Sequence, residues 1–544
     1  MNENYYRNIL IINLPRALSL ADRRENMVTS GCFDRNFWKY KKTPYSDATF
    51  QQLVFPLTVM YQDNHKQNPY YNNENLFRLI KNGILFWCSI QHKKGYFNEW
   101  YANERSHVAT SFTTWAVSES YLALKNRFKT KEKSIIESSL KKAGAWLLKN
   151  DDLGVMNHTA GSLPSLFNLY LIFKDKSYLN GASIKMKKIL SFLNNEGWLP
   201  EYGGADPGYL NVSLCYFARY FSKKKTDLPK SEIKKILEFL AYMIHPDASF
   251  GGEYGNRNIK YLLPSGIQYF AKMFGASYWI LKSWHGSSQK IMVHHIDDKY
   301  FAFFFLPDYA SALLYSKMKI SFKKDFRIES SFQKYFKNAG ILVRKSKDHF
   351  FITNMKKGGP FKYFYRGRLI YSENSVVIKK RDQIKISMYM NKDQKVTRTK
   401  DHITFSRHFI RSNHFLPRPF ISGLWLIFNS LFLRFEFFSH LMNQFLKKWT
   451  ILANKTSKDN LQRTFIFKGD HLEVKDLITM SRSADSLSLE TQGVFKHIPT
   501  SEYFILHDLT SANRDFLLPP KSCQINRIFK KDKYNIILKE RNRL

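Results

Sequence analysis

Acidic residues are scarce in this chain. Asp and Glu number 45 against 85 Lys and Arg, a formal net charge of +40. A field of that sign favours polyanions: acidic polysaccharide, nucleic acid or an anionic membrane surface. The bland alternative is a general lysine bias, since the lysines are spread along the whole chain. Cysteine is scarcer still, and Cys32, Cys88, Cys215 and Cys523 lie too far apart for a zinc or redox motif. They read as reduced, mostly buried thiols. A Walker-type phosphate loop, a dinucleotide glycine fingerprint and a His-Glu-x-x-His helix are all missing, so neither cofactor nor metal is expected. No nucleic-acid-binding module accompanies the charge, which leaves nucleic acid an unlikely partner. The N-terminal apolar run Ile9–Leu14 is interrupted by Pro15 and Arg16, with no small-residue cleavage site after it. A cytoplasmic location is therefore expected, with membrane association left open.

What the chain has in quantity is apolar and aromatic surface. Hydrophobic residues make up 44% and aromatics 16%, including 46 Phe and 31 Tyr, which excludes a disordered chain. A length of 544 residues exceeds what one core usually serves, so two domains are expected. Residues 1–45 read as an N-terminal arm. Helical periodicity then runs through 46–63, 74–92, 105–125, 132–149, 160–174, 178–194, 208–222, 230–244, 263–283 and 299–316. Short loops between such helices make antiparallel hairpins, and about five hairpins in series predict an α/α toroid over 46–318. From 319 to 544 the texture becomes β-branched and aromatic, in short runs such as 340–343, 349–353, 375–378 and 384–390. A mainly antiparallel β domain is predicted there, which makes the fold class α+β. Within it, 420–449 is an apolar insertion holding Arg434 and Glu436. It reads either as a helix packed on the domain or as an interfacial membrane contact.

A carboxylate-aromatic step recurs at Glu99-Trp100, Glu201-Tyr202 and Glu253-Tyr254. The intervals of 102 and then 52 residues describe a period near 51 with one slot skipped, as stacked helical hairpins produce. The loop Asn150–His158 fills the skipped slot. Loops in corresponding positions return to one face, which places Glu99, Asn157, Glu201 and Glu253 around a single mouth.

Asn157-His158 opens a helix there. An amide can hold a carboxylate and an imidazole can move a proton, although the pair can equally serve as a helix cap. The glycine-rich stretch from Glu201 through Asp206 ends in Tyr209, a possible general base or acid if a cation such as Arg257 favours its phenolate, or else one more packing tyrosine. Glu99, Glu104, Arg105 and His107 occupy the first loop. Glu253, Arg257 and Asn258 occupy the last. Paired carboxylates fit a glycosidase, and they fit equally an architectural role repeated at each turn. Trp100, Tyr202 and Tyr254 suit a sugar-stacking wall or inter-hairpin packing. The histidines His349, His402, His408 and His414 lack ligand spacing, but one could reach the cavity across a domain interface.

Together, the α/α toroid, the Asn-His pair opening a helix, the glycine-rich loop ending in Tyr and the C-terminal β domain resemble the heparinase II/III-like and alginate lyase-like polysaccharide lyases. The resemblance implies an enzyme that neutralises a uronate carboxylate with Asn157, assisted by His158. Tyr209 would serve as the catalytic tyrosine of a β-elimination or of the related C5 epimerisation. It further implies an acidic polysaccharide substrate, for which the loop residues Glu99, Trp100, Arg105, Glu201, Tyr202, Asp206, Glu253, Tyr254 and Arg257 are the candidate contacts. The loop before Tyr209 departs from the family's Asp-Gly-Ser-Tyr pattern, reading Glu196-Gly197-Trp198-Leu199 and then a longer glycine-rich insertion. The alternatives are a glycoside hydrolase using the repeat carboxylates, and a non-catalytic scaffold for a polyanion or membrane.

Overall fold

Two kinds of helix alternate along the first 316 residues. In His107–Leu124, 15 of 18 residues are buried, whereas Thr130–Lys149 buries only 6 of 20, in one stripe. A helix buried all round must sit inside a ring of neighbours, and a striped one must lie on its outside. The computed structural model has this arrangement, and it describes residues 3–286, 295–317, 326, 328–412, 419–433, 435, 437–438, 441–442, 455–469, 471–491 and 513–540. The inner helices are Val54–Gln62, His107–Leu124, Met156–Phe173, Pro207–Lys224, Pro264–Phe270 and Leu306–Ser316. Each neighbours the next, and the last touches the first, which closes the toroid.

Five outer helices follow their inner partners: Glu74–Ser89, Thr130–Lys149, Lys176–Ser191, Lys230–Ala241 and Gly275–His285. The sixth comes from the chain's start. Residues 1–45, expected as an arm, contribute Glu3–Leu20, which lies against Leu306–Ser316 and buries Tyr6, Leu10 and Leu14 in the common core. Arg7 locks it in place by donating to Asp63 at 2.6 Å, both side chains being buried. The single helix expected over 263–283 is divided in two by a turn before Gly275. The segment at 299–316 begins with a wide π-type turn, Phe301–Phe305, and then becomes regular helix.

The β region is layered on the toroid. Phe332–Phe336, Ile341–Ser346, His349–Asn354, Phe361–Tyr365 and Arg368–Glu373 form a five-stranded antiparallel meander. Side chains alternate across a strand, and here both faces are covered. Ile341, Val343, Phe350 and Ile352 join the helical core. Leu342, Phe351 and Phe361 point the other way, into a second core with Ile403, Phe405 and Phe465 of a ten-stranded sheet. Buried between the sheets, Arg463 and Arg527 pair with Glu373 and Asp476, at 2.8 Å for Arg463 Nε to Asp476 and 2.7 Å for Arg527 Nε to Glu373.

Of the apolar insertion, Pro419–Leu431 is helical, and its large side chains are exposed instead of packed on the domain. Arg434, Glu436 and residues 443–449 lie outside the described residues, as does His414. Among the described residues no helix is long and apolar enough to cross a membrane.

Candidate active site

The loops at one end of the toroid are tied to one another in sequence. Ile244 bridges Phe250, Phe97 bridges Ser106, and Val155 bridges Glu201 across two hairpins. Tyr202 donates its backbone N–H to Gly154 at 3.1 Å, and Asn256 donates to Ala205 at 2.9 Å. His107 Nε2 meets the Asn150 carbonyl at 3.2 Å. Loops spaced by the hairpin period thereby become one continuous rim.

Asn157 lies in the first turn of its helix, 1% exposed, and donates Nδ2 to Glu201 Oε2 at 3.2 Å. Its buried Oδ1 has no hydrogen-bond partner. His158, next along, shares a 3.0 Å hydrogen bond between Nδ1 and Asp152 Oδ2, which orients the ring and leaves Nε2 as the nitrogen to exchange a proton. Burial pushes the Glu201 carboxyl well above the usual range, Arg257 opposing and Asp206 and Asp152 reinforcing.

The turn after Glu201 pairs Pro200–Glu201 with Gly204–Ala205. Its two central residues, Tyr202 and Gly203, have φ of +46° and +84°, as a type I′ hairpin turn requires. A tyrosine in the left-handed region is strained, and strain of this kind concentrates at functional sites. The Arg257 guanidinium lies 5.1 Å from the Tyr202 ring centroid. Desolvation works against its charge, but Tyr209, Tyr202, Glu201 and Asp206 hold it firmly cationic. Asp206 sets this arrangement: one oxygen accepts from the Tyr209 N–H at 3.0 Å as the helix cap, and the other accepts from the Arg257 N–H at 2.7 Å. Tyr209 and Arg257 are thus positioned by a single buried carboxylate.

Three of the expected substrate contacts are engaged by neighbouring groups of the protein. Both oxygens of Asp206 are spent on backbone, and it is 1% exposed. Glu253 is enclosed and paired with Lys260 at 2.9 Å and Lys362 at 3.7 Å. Tyr254 is fully buried, its hydroxyl donating to the Met243 carbonyl at 3.2 Å and meeting His245 Nε2 at 3.0 Å. At the first loop, Lys299 bridges Glu99 and Asp47, each at 2.9 Å, and stands 3.6 Å over the Trp100 ring. Glu104 accepts the backbone N–H groups of Glu99 and Trp100 at 2.9 and 2.6 Å. The architectural reading of the carboxylates fits Glu99, Glu104 and Glu253, although ion pairs and not helix caps hold two of them. Trp100 is 47% exposed beside this cluster, and Arg105 sits at φ +57° before the Ser106 cap.

The sequence pattern did not reveal what the β region adds. Lys357, buried, donates to the Gly255 carbonyl and to Asn258 Oδ1, on either side of Arg257. Burial pushes its ammonium down to about 7 against the pull of Asp206 and Glu253. Asn354 donates to the Tyr254 carbonyl at 2.8 Å, and Lys392 comes so near Gly203 that a Cβ there would lie 2.5 Å from its Cε. The histidines expected to cross are engaged within the β region: His349 with Tyr363 at 2.7 Å, His408 with the Asp459 carbonyl at 3.3 Å. Among the described residues no group of three or more His, Cys, Asp or Glu side chains is placed to hold a metal ion.

A closed toroid of helical hairpins carrying layered antiparallel sheets is a fold found among polysaccharide lyases. Two solved structures share it with this chain. The chondroitin AC lyase of Streptomyces coelicolor A3, in complex with chondroitin sulphate, superposes with a TM-score of 0.54 at 10% identity, over 89% of this chain and 67% of its own. Heparinase III superposes with a TM-score of 0.52 at 9% identity, over 92% of this chain and 84% of its own. No family sequence model and no curated protein sequence matches the chain.

Proposed function

We propose that this chain is an enzyme acting on an acidic, uronate-containing polysaccharide by removing the C5 proton. The observation that carries this reading is the convergence of Asn157, His158, Tyr209 and Arg257 on one rim, Asn157 held by the buried Glu201, Tyr209 and Arg257 by the buried Asp206, and His158 by the partly exposed Asp152. Asn157 and Arg257 supply what a uronate carboxylate needs, a neutral donor and a fixed cation, and their pull acidifies the adjacent C–H. Tyr209 or His158 takes the proton from C5. In elimination the electron pair forms the C4–C5 double bond, the C4–O bond breaks, and the departing oxygen receives a proton. In epimerisation a proton returns to the opposite face of C5. The net charge of +40 suits a polyanionic substrate, and a lyase of the same fold was solved with chondroitin sulphate.

The test is incubation of the full chain with a panel of uronate polymers. Ultraviolet absorbance from the conjugated unsaturated uronate marks elimination, and deuterium uptake at C5 without absorbance marks epimerisation. New reducing ends with neither signal would overturn the proposal in favour of hydrolysis.

A further inference from the structure

Large apolar side chains in contact with solvent are concentrated in one place. Among the described residues 27 of them are exposed, and twelve lie between Phe420 and Leu441. Scattered single residues of this kind are normal on a protein surface, but a contiguous cluster marks a contact. The helix Pro419–Leu431 has no charged residue, and its exposed side chains, Phe420, Leu424, Trp425, Leu426 and Ile427 among them, extend round the helix. A Cβ added at Gly423 would meet nothing within 4 Å.

The helix is tethered at its far end. Leu433 is fully buried, and its carbonyl accepts from Asn103 Nδ2 at 2.9 Å, in the same rim loop that carries Trp100. The apolar surface therefore stands beside the mouth of the toroid.

Charge identifies the occupant. From 411 to 458 the sequence holds seven Lys and Arg and a single acidic residue, Glu436. Apolar side chains flanked by cations match an anionic bilayer, where acyl chains take the first and headgroup phosphates the second. Thirteen helical residues rise about 20 Å, short of the roughly 30 Å hydrocarbon core, so the helix lies in one leaflet and does not span.

We infer that the exposed helix Pro419–Leu431 is a monotopic anchor that seats the chain on an anionic phospholipid surface, with the mouth of the toroid close to the headgroups. This seating holds whether or not the mouth contains a lyase centre.

Flotation of the purified full chain with phosphatidylcholine vesicles, and with phosphatidylcholine mixed with phosphatidylglycerol, tests the anchor. The wild type floats with the mixed vesicles, less with phosphatidylcholine alone and less in high salt. The triple variant Phe420→Glu, Leu424→Glu, Ile427→Glu loses about tenfold or more of that binding, while its thermal midpoint and its turnover of soluble polymer stay unchanged. Equal flotation of variant and wild type overturns the anchor, as does a wild type that floats with neither vesicle. A dimer seen by light scattering that the triple substitution dissociates, with no flotation, overturns it in favour of a second copy of the chain.

Discussion

The side-chain amide of Asn157 meets the carboxyl group of Glu201 at 3.2 Å, across the seam between two consecutive helical hairpins. Glu201 is itself buried, and burial raises its carboxyl. The other amide atom of Asn157, Oδ1, is buried and has no hydrogen-bond partner among the described residues.

Glu201→Gln retains an acceptor for the Asn157 Nδ2 and is expected to keep kcat/KM within about tenfold. Glu201→Ala removes it and is expected to lose about a hundredfold, the scale of an unsatisfied buried amide. Steady-state kinetics of the two variants on the same polymer decide it, and equal losses would assign Glu201 a purely structural role.

Tyr209→Phe keeps the ring and removes the hydroxyl proposed to transfer the proton. Its kcat is expected to fall at least about a hundredfold with KM little changed, because the loss falls on the transition state alone. Arg257→Lys keeps the charge but loses the planar group over Tyr202, and is expected to raise KM as well as lower kcat.

Glu253 contributes to acid stability. Burial alone would raise its carboxyl, but Lys260 and Lys362 hold it down to about 2, below its ordinary 4.5. A depressed carboxyl stabilises fully above 4.5 and loses that contribution as pH falls toward 2, amounting to about 3 kcal/mol. Denaturant midpoints should show Glu253→Gln less stable than wild type at pH 7, with the gap closing near pH 2.

Lys357 acts in the opposite part of the scale. With its ammonium pushed from 10.5 to about 7 by burial, the unfolded chain binds the extra proton between those values. Its contribution is therefore complete above 10.5 and is lost as pH falls through 7. Lys357→Met should remove this slope from the stability profile. It should also lower kcat/KM, because Gly255 and Asn258, which bracket Arg257, lose their shared donor.

Much of this molecule can be read from its residues in order. The inner and outer helices appear as a 3.6-residue periodicity, and the change to alternation after 319 marks the sheets. The Glu-aromatic period identifies the loops that meet at the rim, because equal spacing in a stack of hairpins means equal position. The same spacing could not say what each carboxylate meets: Glu201 and Glu253 have similar local sequences, yet one meets an amide and the other two ammonium groups.

The chain by itself determined its elements, their order and the loops they share, since these follow from local periodicity and turn chemistry. Tertiary structure decided the rest. Glu3–Leu20 closes the ring against a helix nearly 300 residues away, and Lys357 and Lys362 reach the rim from the β region. Neither has a local signature. A lysine's neighbours are set by which surfaces bury each other, and burial, which raises the Glu201 carboxyl, exists only once distant segments have packed.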